Sequence, residues 1–192
     1  MKVFEWRMAG WYWLLLGIFI TLCGCSKAAV SSGELGGRRA GDGSVSLALI
    51  GYNYTNRHIN TFTVDGQGGG NLYVSSPTSG GGGSVCCVPY WRGLKDYKVI
   101  VRWQHGACYY PIRSRTSGEV FDELHFFYKE VEVTVDDLSP NIPSNFEVHF
   151  YPDGSVKAAV TEFMSMPRLS LRKDRRDSTR YPRCPNDQKP SE

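Results

Sequence analysis

Apolar and polar side chains alternate along several stretches of the chain, which indicates β-strands that present one face to a core. The clearest stretches are Val45 to Leu49, Lys98 to Trp103, His125 to Val135, Phe146 to Phe150 and Val156 to Val160. Between the last two lies Tyr-Pro-Asp-Gly, a tight-turn sequence that predicts an antiparallel hairpin. Shorter strands are predicted at Ile59 to Val64, Leu72 to Val74 and Val85 to Val88. Since no convincing amphipathic helix accompanies them, the pattern predicts an all-β fold, either an antiparallel β-sandwich or a partly open barrel.

Two glycine-rich stretches separate the shorter strands, and we predict both to be loops. They run from Gly66 to Gly70 and from Gly80 to Gly83, and a third loop is predicted from Gly106 to Asp122. Tyrosine and tryptophan residues beside flexible backbone are typical of protein-binding surfaces. We therefore expect a partner-binding surface made of Gly68, Gly69, Tyr73, Gly81 and Tyr90. The alternatives are that the loops only connect strands and that half or more of the aromatic residues belong to the core.

The amino terminus has the layout of a bacterial lipoprotein signal. Lys2 and Arg7 precede a hydrophobic run from Trp11 to Leu22, which has the length of a signal-peptide core and is short for a bilayer span. The run meets Leu22-Cys23-Gly24-Cys25, in the order of a lipobox. We predict a signal peptide at residues 1–24 and lipidation of Cys25, with a single membrane anchor as the alternative. The expected localisation is the cell envelope, on the outer membrane facing the periplasm.

Composition divides the rest of the chain into three parts. Residues 25–43 are small, polar and glycine-rich and predict a flexible tether, residues 44–167 form the β-rich domain, and residues 168–192 form an irregular basic tail. The tail holds eight basic and four acidic residues, whereas the whole chain has a formal net charge of +3. Such a tail suits anionic lipid or an acidic partner, although a solvated tail is the simpler interpretation. Nucleic acid is not an expected partner of an exported protein with a slightly acidic body.

Four cysteines remain once Cys25 carries lipid, namely Cys86, Cys87, Cys108 and Cys184. An even number in an oxidising compartment predicts two disulfides. Adjacent residues of a strand point to opposite faces, so a bond between Cys86 and Cys87 is disfavoured. We expect one of these two to pair with Cys108 and the other with Cys184, in an order that the sequence leaves open.

The usual sequence signatures of catalysis are missing. The chain has no G-x-S-x-G, no H-E-x-x-H and no paired catalytic carboxylates, and no histidine stands at metal-ligand spacing from a cysteine. The histidines are expected at the surface or at strand edges, and His149 is expected to face away from the inward row of Phe146, Val148 and Phe150. We therefore predict no catalytic residue, no metal and no cofactor, in a protein that is not an enzyme.

From Val45 to Val160 the chain resembles the bacterial lipoprotein family catalogued as domain of unknown function 3304. The resemblance is carried by GYNYTNRHI and the V-D-G after it, by SPTSGGGGSVCCV, by the P-x-W-R-G-L segment before KVIVRW, and by FEVHFYPDGSV. It implies a small envelope lipoprotein, of a kind often encoded beside type VI secretion phospholipase effectors, with no catalytic residue in the family pattern. The implied function is a non-catalytic binding protein, such as an immunity protein that blocks a secreted phospholipase. The alternative is a structural or uncharacterised envelope lipoprotein without a toxin partner.

Overall fold

The computed structural model describes residues 43–191, which contain eight β-strands and one short 3₁₀ turn. The predicted signal peptide, Cys25 and residues 26–42 of the predicted tether lie outside the described residues. The strands are β1 Ser44–Asn53, β2 Ile59–Val64, β3 Gln67–Leu72, β4 Gly81–Trp91, β5 Lys98–Arg113, β6 Val120–Asp137, β7 Asn145–Phe150 and β8 Val156–Thr161, and the 3₁₀ turn is Pro185–Asp187. The predicted all-β class is confirmed.

All eight strands belong to one sheet in the order β3-β2-β5-β6-β8-β7-β1-β4. The two edge strands approach each other just beyond β3, where the Tyr73 N–H donates to the carbonyl of Gly81 at 2.8 Å. The sheet is thus nearly closed on itself, and the partly open barrel is the predicted architecture that forms. Such closure leaves little free edge, which protects a small β-domain from edge-to-edge association.

The sheet is mixed rather than wholly antiparallel, which corrects the prediction. β1 runs parallel to β7, and β6 runs parallel to β8. After β6 the chain crosses one end of the barrel through residues 138–144 and forms β7 one position further on. β8 then returns antiparallel to β7 and fills the gap beside β6. Because β7 runs opposite to β6, the returning strand is parallel to β6.

The barrel interior is apolar and follows the predicted alternation. Phe146, Val148 and Phe150 of β7 are at most 2 % exposed, and β8 pairs with β7 in the predicted antiparallel hairpin. Val99 and Val101 of β5 face the same core. Full burial of side chains of this size stabilises a fold by about 1.5–3 kcal/mol each. The other buried members are Leu47, Leu49, Ile59, Phe62, Val64, Leu72, Val88, Tyr90, Val133, Val135, Ala158 and Val160.

The two glycine-rich stretches lie mainly in strands, so the prediction of flexible loops is wrong. The first stretch forms most of β3, and the second opens β4. A side chain at Gly69 would overlap the Phe62 ring, so only glycine lets β3 pass over that core residue. Gly51 and Gly82 likewise leave the space that the Leu72 side chain fills. These glycines allow close packing at the seam of the barrel rather than flexibility.

A long hairpin replaces the third predicted loop. β5 and β6 pair as far as Arg113 and Val120, with one register shift between Gln104 and Gly106. β2 pairs with β5 only up to Trp103, so the outer part of the hairpin extends beyond the neighbouring strands. We call this outer part, residues 106–127, the arm. Its polar residues do not alternate regularly with apolar ones, and the sequence therefore shows no strand pattern there.

The strand register defines two ends of the barrel. We call the end where β1 begins the proximal end, and it carries the connections at residues 92–97 and 138–144. The end where β1 finishes is the distal end, and it carries the connections at residues 54–58, 73–80 and 151–155. The arm starts on the distal side.

Residues 162–184, which we call the strap, run along the outside of the barrel from the proximal to the distal end. The strap follows β8, is hydrogen-bonded to residues 54–58 through Arg175, and is joined to the arm by a disulfide between Cys184 and Cys108. The predicted basic tail is irregular, as expected. Much of it is packed against the body, because its side chains and backbone provide partners for polar groups on the outer face of the barrel.

Candidate functional site

A recess of about 180 Å³ lies at the distal end, beside the base of the arm. Its walls come from β5 and β6, from the two connections that follow β1 and β7, and from the strap. The lining residues are Thr55, Arg57, His58, Ile59, Trp103, Gln104, His105, Lys129, Tyr151, Pro152, Gly154 and Tyr181. Pockets that enclose a drug-sized ligand measure roughly 300–1,000 Å³, so this recess suits a single side chain or one small polar group.

Basic and aromatic side chains dominate the recess, and the lining that residues 43–191 provide includes no Asp or Glu. Arg57 and Lys129 form no salt bridge within residues 43–191. Their charged groups are therefore free to bind an anion through charge-assisted hydrogen bonds. Trp103, Tyr151 and Tyr181 supply flat walls that reduce the access of water to such a contact.

Two histidines contribute to the same recess. The His58 ring stacks on Tyr73 with the ring centroids 5.0 Å apart, and its Nε2 is buried without a hydrogen-bond partner in the described part of the chain. Burial, and then the neighbouring charge of Lys129, lowers the pKa of His105 below its ordinary value of 6.5. An anion bound in the recess would favour protonation of His105. The recess therefore combines two fixed positive charges with a histidine whose charge responds to a bound anion.

The five residues predicted as a partner-binding surface do not come together. Tyr73 is 61 % exposed and stands at the recess through its contact with His58. Tyr90 is only 3 % exposed, and its hydroxyl donates to Asp137 at 2.9 Å, so it belongs to the core, which was the alternative for these aromatic residues. Burial removes it as an exposed anchor. Of the glycines, Gly68 is exposed in β3, Gly69 packs on Phe62 and Gly81 packs on the backbone of Tyr73.

The cysteines pair differently from the prediction. Cys108 is bonded to Cys184 with the Cα atoms 4.9 Å apart, and Cys86 is bonded to Cys87. The expected cross-pairing fails because β4 is not next to β5 in the barrel: it pairs with β1 on one side, and β3 and β2 separate it from β5 across the seam. Side chains alternate between the two faces only in a regular strand, and β4 has a bulge opposite β1 at Cys87. The bond that matters for the distal end is Cys108–Cys184, since it holds the strap on the arm.

A second polar cluster lies on the outer face of β1 and β7, beneath the strap. Glu147 and His149 are both 0 % exposed, and Oε2 of Glu147 lies 3.2 Å from Nε2 of His149. The other ring nitrogen of His149 is 2.9 Å from the Tyr54 hydroxyl, and the Tyr52 ring stacks on the imidazole at 4.4 Å. From the strap, the Ser165 N–H donates to Glu147 at 2.8 Å. The cluster thus connects two strands with the strap.

The protonation states in this cluster follow from its contacts. Burial alone raises the pKa of Glu147, but hydrogen bonds from His149 and Ser165 more than offset it and leave the pKa below its ordinary value of 4.5. Burial lowers the pKa of His149 below 6.5, so the imidazole is neutral at pH 7. Since the ionised Glu147 accepts from Nε2–H, Nδ1 accepts from the Tyr54 hydroxyl. Burial raises the pKa of Tyr54 to about 12, and its oxygen accepts from the Arg168 N–H at 2.8 Å.

The cluster has the residue types of acid–base chemistry without access for a substrate. Glu147 and His149 are fully buried, and the hydrogen bonds just described occupy their polar atoms. His149 faces away from the inward row of β7, as predicted, but it is not at the surface because the strap covers it. The arrangement stabilises the strap on the barrel, since the burial of polar groups is favourable only when each has a partner.

Sequence reasoning missed the recess and the cluster, and both depend on contacts between distant segments. Arg57 and Lys129 meet only because β1, β2, β5 and β6 end or pass at the distal side. Arg57 belongs to the family motif GYNYTNRHI and Lys129 to no quoted motif, and neither position indicates a recess. The one local signal was the alternation in β7, which places Glu147 and His149 on the same outward face. Two polar residues on that face do not by themselves predict that an irregular segment later in the chain covers them.

Within residues 43–191, no helix is long and apolar enough to cross a membrane. In the same part of the chain, no group of three or more His, Cys, Asp or Glu side chains is placed to hold a metal ion.

The fold and the site define a class: an all-β domain with a nearly closed mixed barrel, a disulfide-bonded strap and a basic recess at one end. The family model described as "Protein of unknown function (DUF3304)" matches residues 52–158, more than half of the chain, and the chain belongs to this family. The match covers the barrel from the end of β1 into β8 and every lining residue of the recess except Tyr181. Searches of the curated proteins and of the solved structures find no match to this chain.

Proposed function

We propose that this protein is a non-catalytic binding protein of the bacterial cell envelope, held there by lipid on Cys25, and that its distal recess receives an acidic side chain of a protein partner. The observation that carries the proposal is the recess, where Arg57 and Lys129 lack a carboxylate partner in the described chain and stand among three aromatic rings. A carboxylate placed between two cations forms hydrogen bonds about twice as strong as neutral ones.

The distal end supports a protein partner rather than a free small molecule. The recess is too small to enclose a drug-sized ligand, and the exposed Tyr73 ring at its rim offers contact area for a larger body. The Arg175 guanidinium donates to the carbonyls of Tyr54 at 2.6 Å, Thr55 at 2.8 Å and Ser75 at 2.9 Å. These bonds hold two distal connections in place before any partner arrives, which lowers the entropy cost of binding.

A binding role without catalysis is supported by the state of Glu147 and His149. Their polar atoms are fully buried and paired, so neither group is positioned to transfer a proton to a bound molecule. In the recess, the polar lining consists of cations and of imidazole, hydroxyl and amide groups, which suit the recognition of an acidic group.

The narrower form of the proposal is immunity against a secreted phospholipase. It rests on the family resemblance, whose members are often encoded beside such effectors. An immunity protein needs affinity and no chemistry, which agrees with a preorganised basic recess. The alternative, a structural envelope lipoprotein without a toxin partner, assigns no ligand to the recess.

Growth during periplasmic co-expression with the phospholipase of a neighbouring gene tests the proposal. We expect the wild-type chain to protect the cell and the Arg57→Glu, Lys129→Glu double variant to lose protection, because two attractive contacts become repulsive. The matched control is Lys173→Glu with Arg176→Glu, which changes the same charge at exposed positions of the strap outside the recess lining.

Two results would count against the proposal. If the wild-type chain gives no protection, immunity against that phospholipase is excluded. If the Arg57→Glu, Lys129→Glu variant protects fully at normal abundance, the recess is not the binding site. Circular dichroism and the mobility of the oxidised protein confirm that each variant is folded.

A further inference from the structure

Large apolar side chains are exposed at the proximal end of the barrel. Leu138 and Ile142, in the connection from β6 to β7, are 55 % and 70 % exposed. Phe163 and Met164, at the start of the strap, are 77 % and 65 % exposed. Single exposed apolar residues are common on soluble domains, whereas several at the same end mark an interaction surface. We call these four residues the apolar patch.

Hydrogen bonds hold the two segments of the apolar patch side by side. The Ser144 N–H donates to the carbonyl of Thr161 at 2.9 Å, and the Asn141 side-chain amide donates to Glu162 at 3.0 Å. The Leu138 N–H donates to the carbonyl of Val160 at 2.9 Å. The connection and the start of the strap therefore form one ledge across the ends of β6, β7 and β8.

The chain that precedes the described residues reaches the barrel at this same end. Ser44 begins β1, and the Ala48 N–H donates to the carbonyl of Ser144 at 3.0 Å, next to the apolar patch. Seventeen residues separate Cys25 from Gly43. These residues join the barrel at its proximal end, where β1 begins. A lipid on Cys25 would therefore be connected to the barrel through its proximal end.

We propose that the apolar patch rests on the lipid bilayer, with Phe163 and Ile142 inserted at the level of the headgroups. This inference rests on the proposed lipid anchor. A bilayer is favoured over a protein partner because the anchor brings it to this end of the molecule, and a flexible bilayer needs no matching shape. Aromatic and long apolar side chains are the residues that enter a membrane interface most readily. The docked barrel directs the distal recess away from the membrane, toward partners in the periplasm.

Photocrosslinking in native membranes tests the inference on the full chain. Phe163 is replaced by p-benzoylphenylalanine, a second sample carries the same residue at Ile142, and the matched control carries it at Tyr73, which is exposed at the distal end. After membrane flotation and irradiation, mass spectrometry identifies what each position has captured. We expect phospholipid adducts at positions 163 and 142, in several-fold excess over position 73.

The outcomes separate the inference from the anchor on which it depends. A chain that floats with the membranes but gives no lipid adduct at positions 163 and 142 overturns the docking and keeps the anchor. Adducts to a second copy of this chain, or to another protein, in place of lipid assign the patch to that occupant and also overturn the docking. A chain that does not float with the membranes overturns the anchor and the docking together.

Discussion

The distal and proximal ends of the barrel differ in the contacts that the rest of the described chain makes with them. At the distal end, Arg175 holds two connections by their carbonyls, and the Cys108–Cys184 disulfide joins the strap to the arm. At the proximal end, the apolar patch remains more than half exposed at each of its four side chains. Within residues 43–191, the distal end is held by contacts of the strap, whereas the proximal end presents apolar surface without such a cover.

The difference suggests which end needs a fixed shape. Ordering the backbone costs about 1–2 kcal/mol per residue in conformational entropy, so the distal connections stay in one arrangement only if other contacts offset that cost. The strap supplies those contacts next to the basic recess, and the proposed binding of a partner there would require the charged groups to hold their positions. A lipid bilayer deforms to fit the surface that contacts it. A proximal end in contact with lipid would therefore need no comparable support.

Opening the Cys108–Cys184 bond should change the distal end most. Replacing both cysteines by serine removes a crosslink with a sequence separation of 76 residues, and loop closure predicts a loss of about 4 kcal/mol in the free energy of unfolding. Urea unfolding measures the loss. Hydrogen exchange should rise in the arm and in residues 175–184, but not in residues 138–144.

The adjacent cysteines provide the control for this experiment. The Cys86→Ser, Cys87→Ser variant removes a bond between neighbours, which closes no long loop, and the entropic loss should be small. Equal losses from the two double variants would contradict the role assigned to the strap.

Removing the Glu147 carboxylate should loosen the strap between the two ends. Glu147→Ala leaves the buried Ser165 N–H and His149 without their acceptor, and we expect a loss of about 3 kcal/mol in unfolding free energy. Glu147→Gln keeps an acceptor oxygen and should lose less. Urea unfolding with hydrogen exchange of residues 162–172 provides the measurement, and an Ala variant as stable as the Gln variant would contradict this account of the cluster.

A substitution at one of the neighbouring glycines in β3 should destabilise the whole barrel, without a larger effect at either end. Gly69→Ala places a methyl group in the Phe62 ring, and such overpacking costs about 1–3 kcal/mol. Gly68→Ala meets no atom within 4 Å and has ordinary backbone angles, so it should be neutral. Thermal unfolding compares the pair. If Gly68→Ala and Gly69→Ala are equally stable, β3 is a flexible segment, as the sequence suggested, and not a packed seam.

Lowering the pH should weaken the attachment of the strap. Near neutral pH, this loss of stability should be smaller than the losses that the substitutions cause. The pKa of His149 is lower in the folded protein than its ordinary 6.5, so its contribution to stability is complete above that value and is lost as pH falls through the folded pKa. Glu147, with a pKa below 4.5, adds a further loss at lower pH. Unfolding free energy measured from pH 7 to pH 4 should fall, and His149→Gln should flatten the part of the curve nearer neutral pH. An unchanged slope in that variant would contradict the assignment.

The strands that could be predicted are those in which apolar and polar side chains alternate. β7 and β8 alternate cleanly around a Tyr-Pro-Asp-Gly turn, and both were predicted to within a residue or two. β3 was missed because glycines have no side chain with which to alternate. The parallel pairs were missed because the order of strands depends on where a connection crosses the barrel, which local patterns do not show.

The candidate site was beyond prediction for a similar reason. Arg57, Trp103, Lys129 and Tyr181 come from four separate segments, and only the assembled barrel brings them to one recess. Tyr73 was singled out for its position beside glycines, and its contact with His58 places it at the rim. The strap has no periodic sequence signal, since it is held at the distal end by the hydrogen bonds of one side chain, Arg175, and by the disulfide of Cys184.

Binding of the partner by variants altered at either end of the barrel tests the assignment of the distal recess most directly. Isothermal titration of the lipidated protein in detergent against the neighbouring phospholipase compares wild type with two double variants. We expect Arg57→Glu with Lys129→Glu to weaken binding by about 30-fold or more, since disrupting close charge pairs costs about 2 kcal/mol or more. We expect Ile142→Ser with Phe163→Ser, at the proximal end, to leave the affinity unchanged. Wild-type affinity in the distal variant, or lost affinity in the proximal one, would contradict the assignment of the distal recess as the binding site.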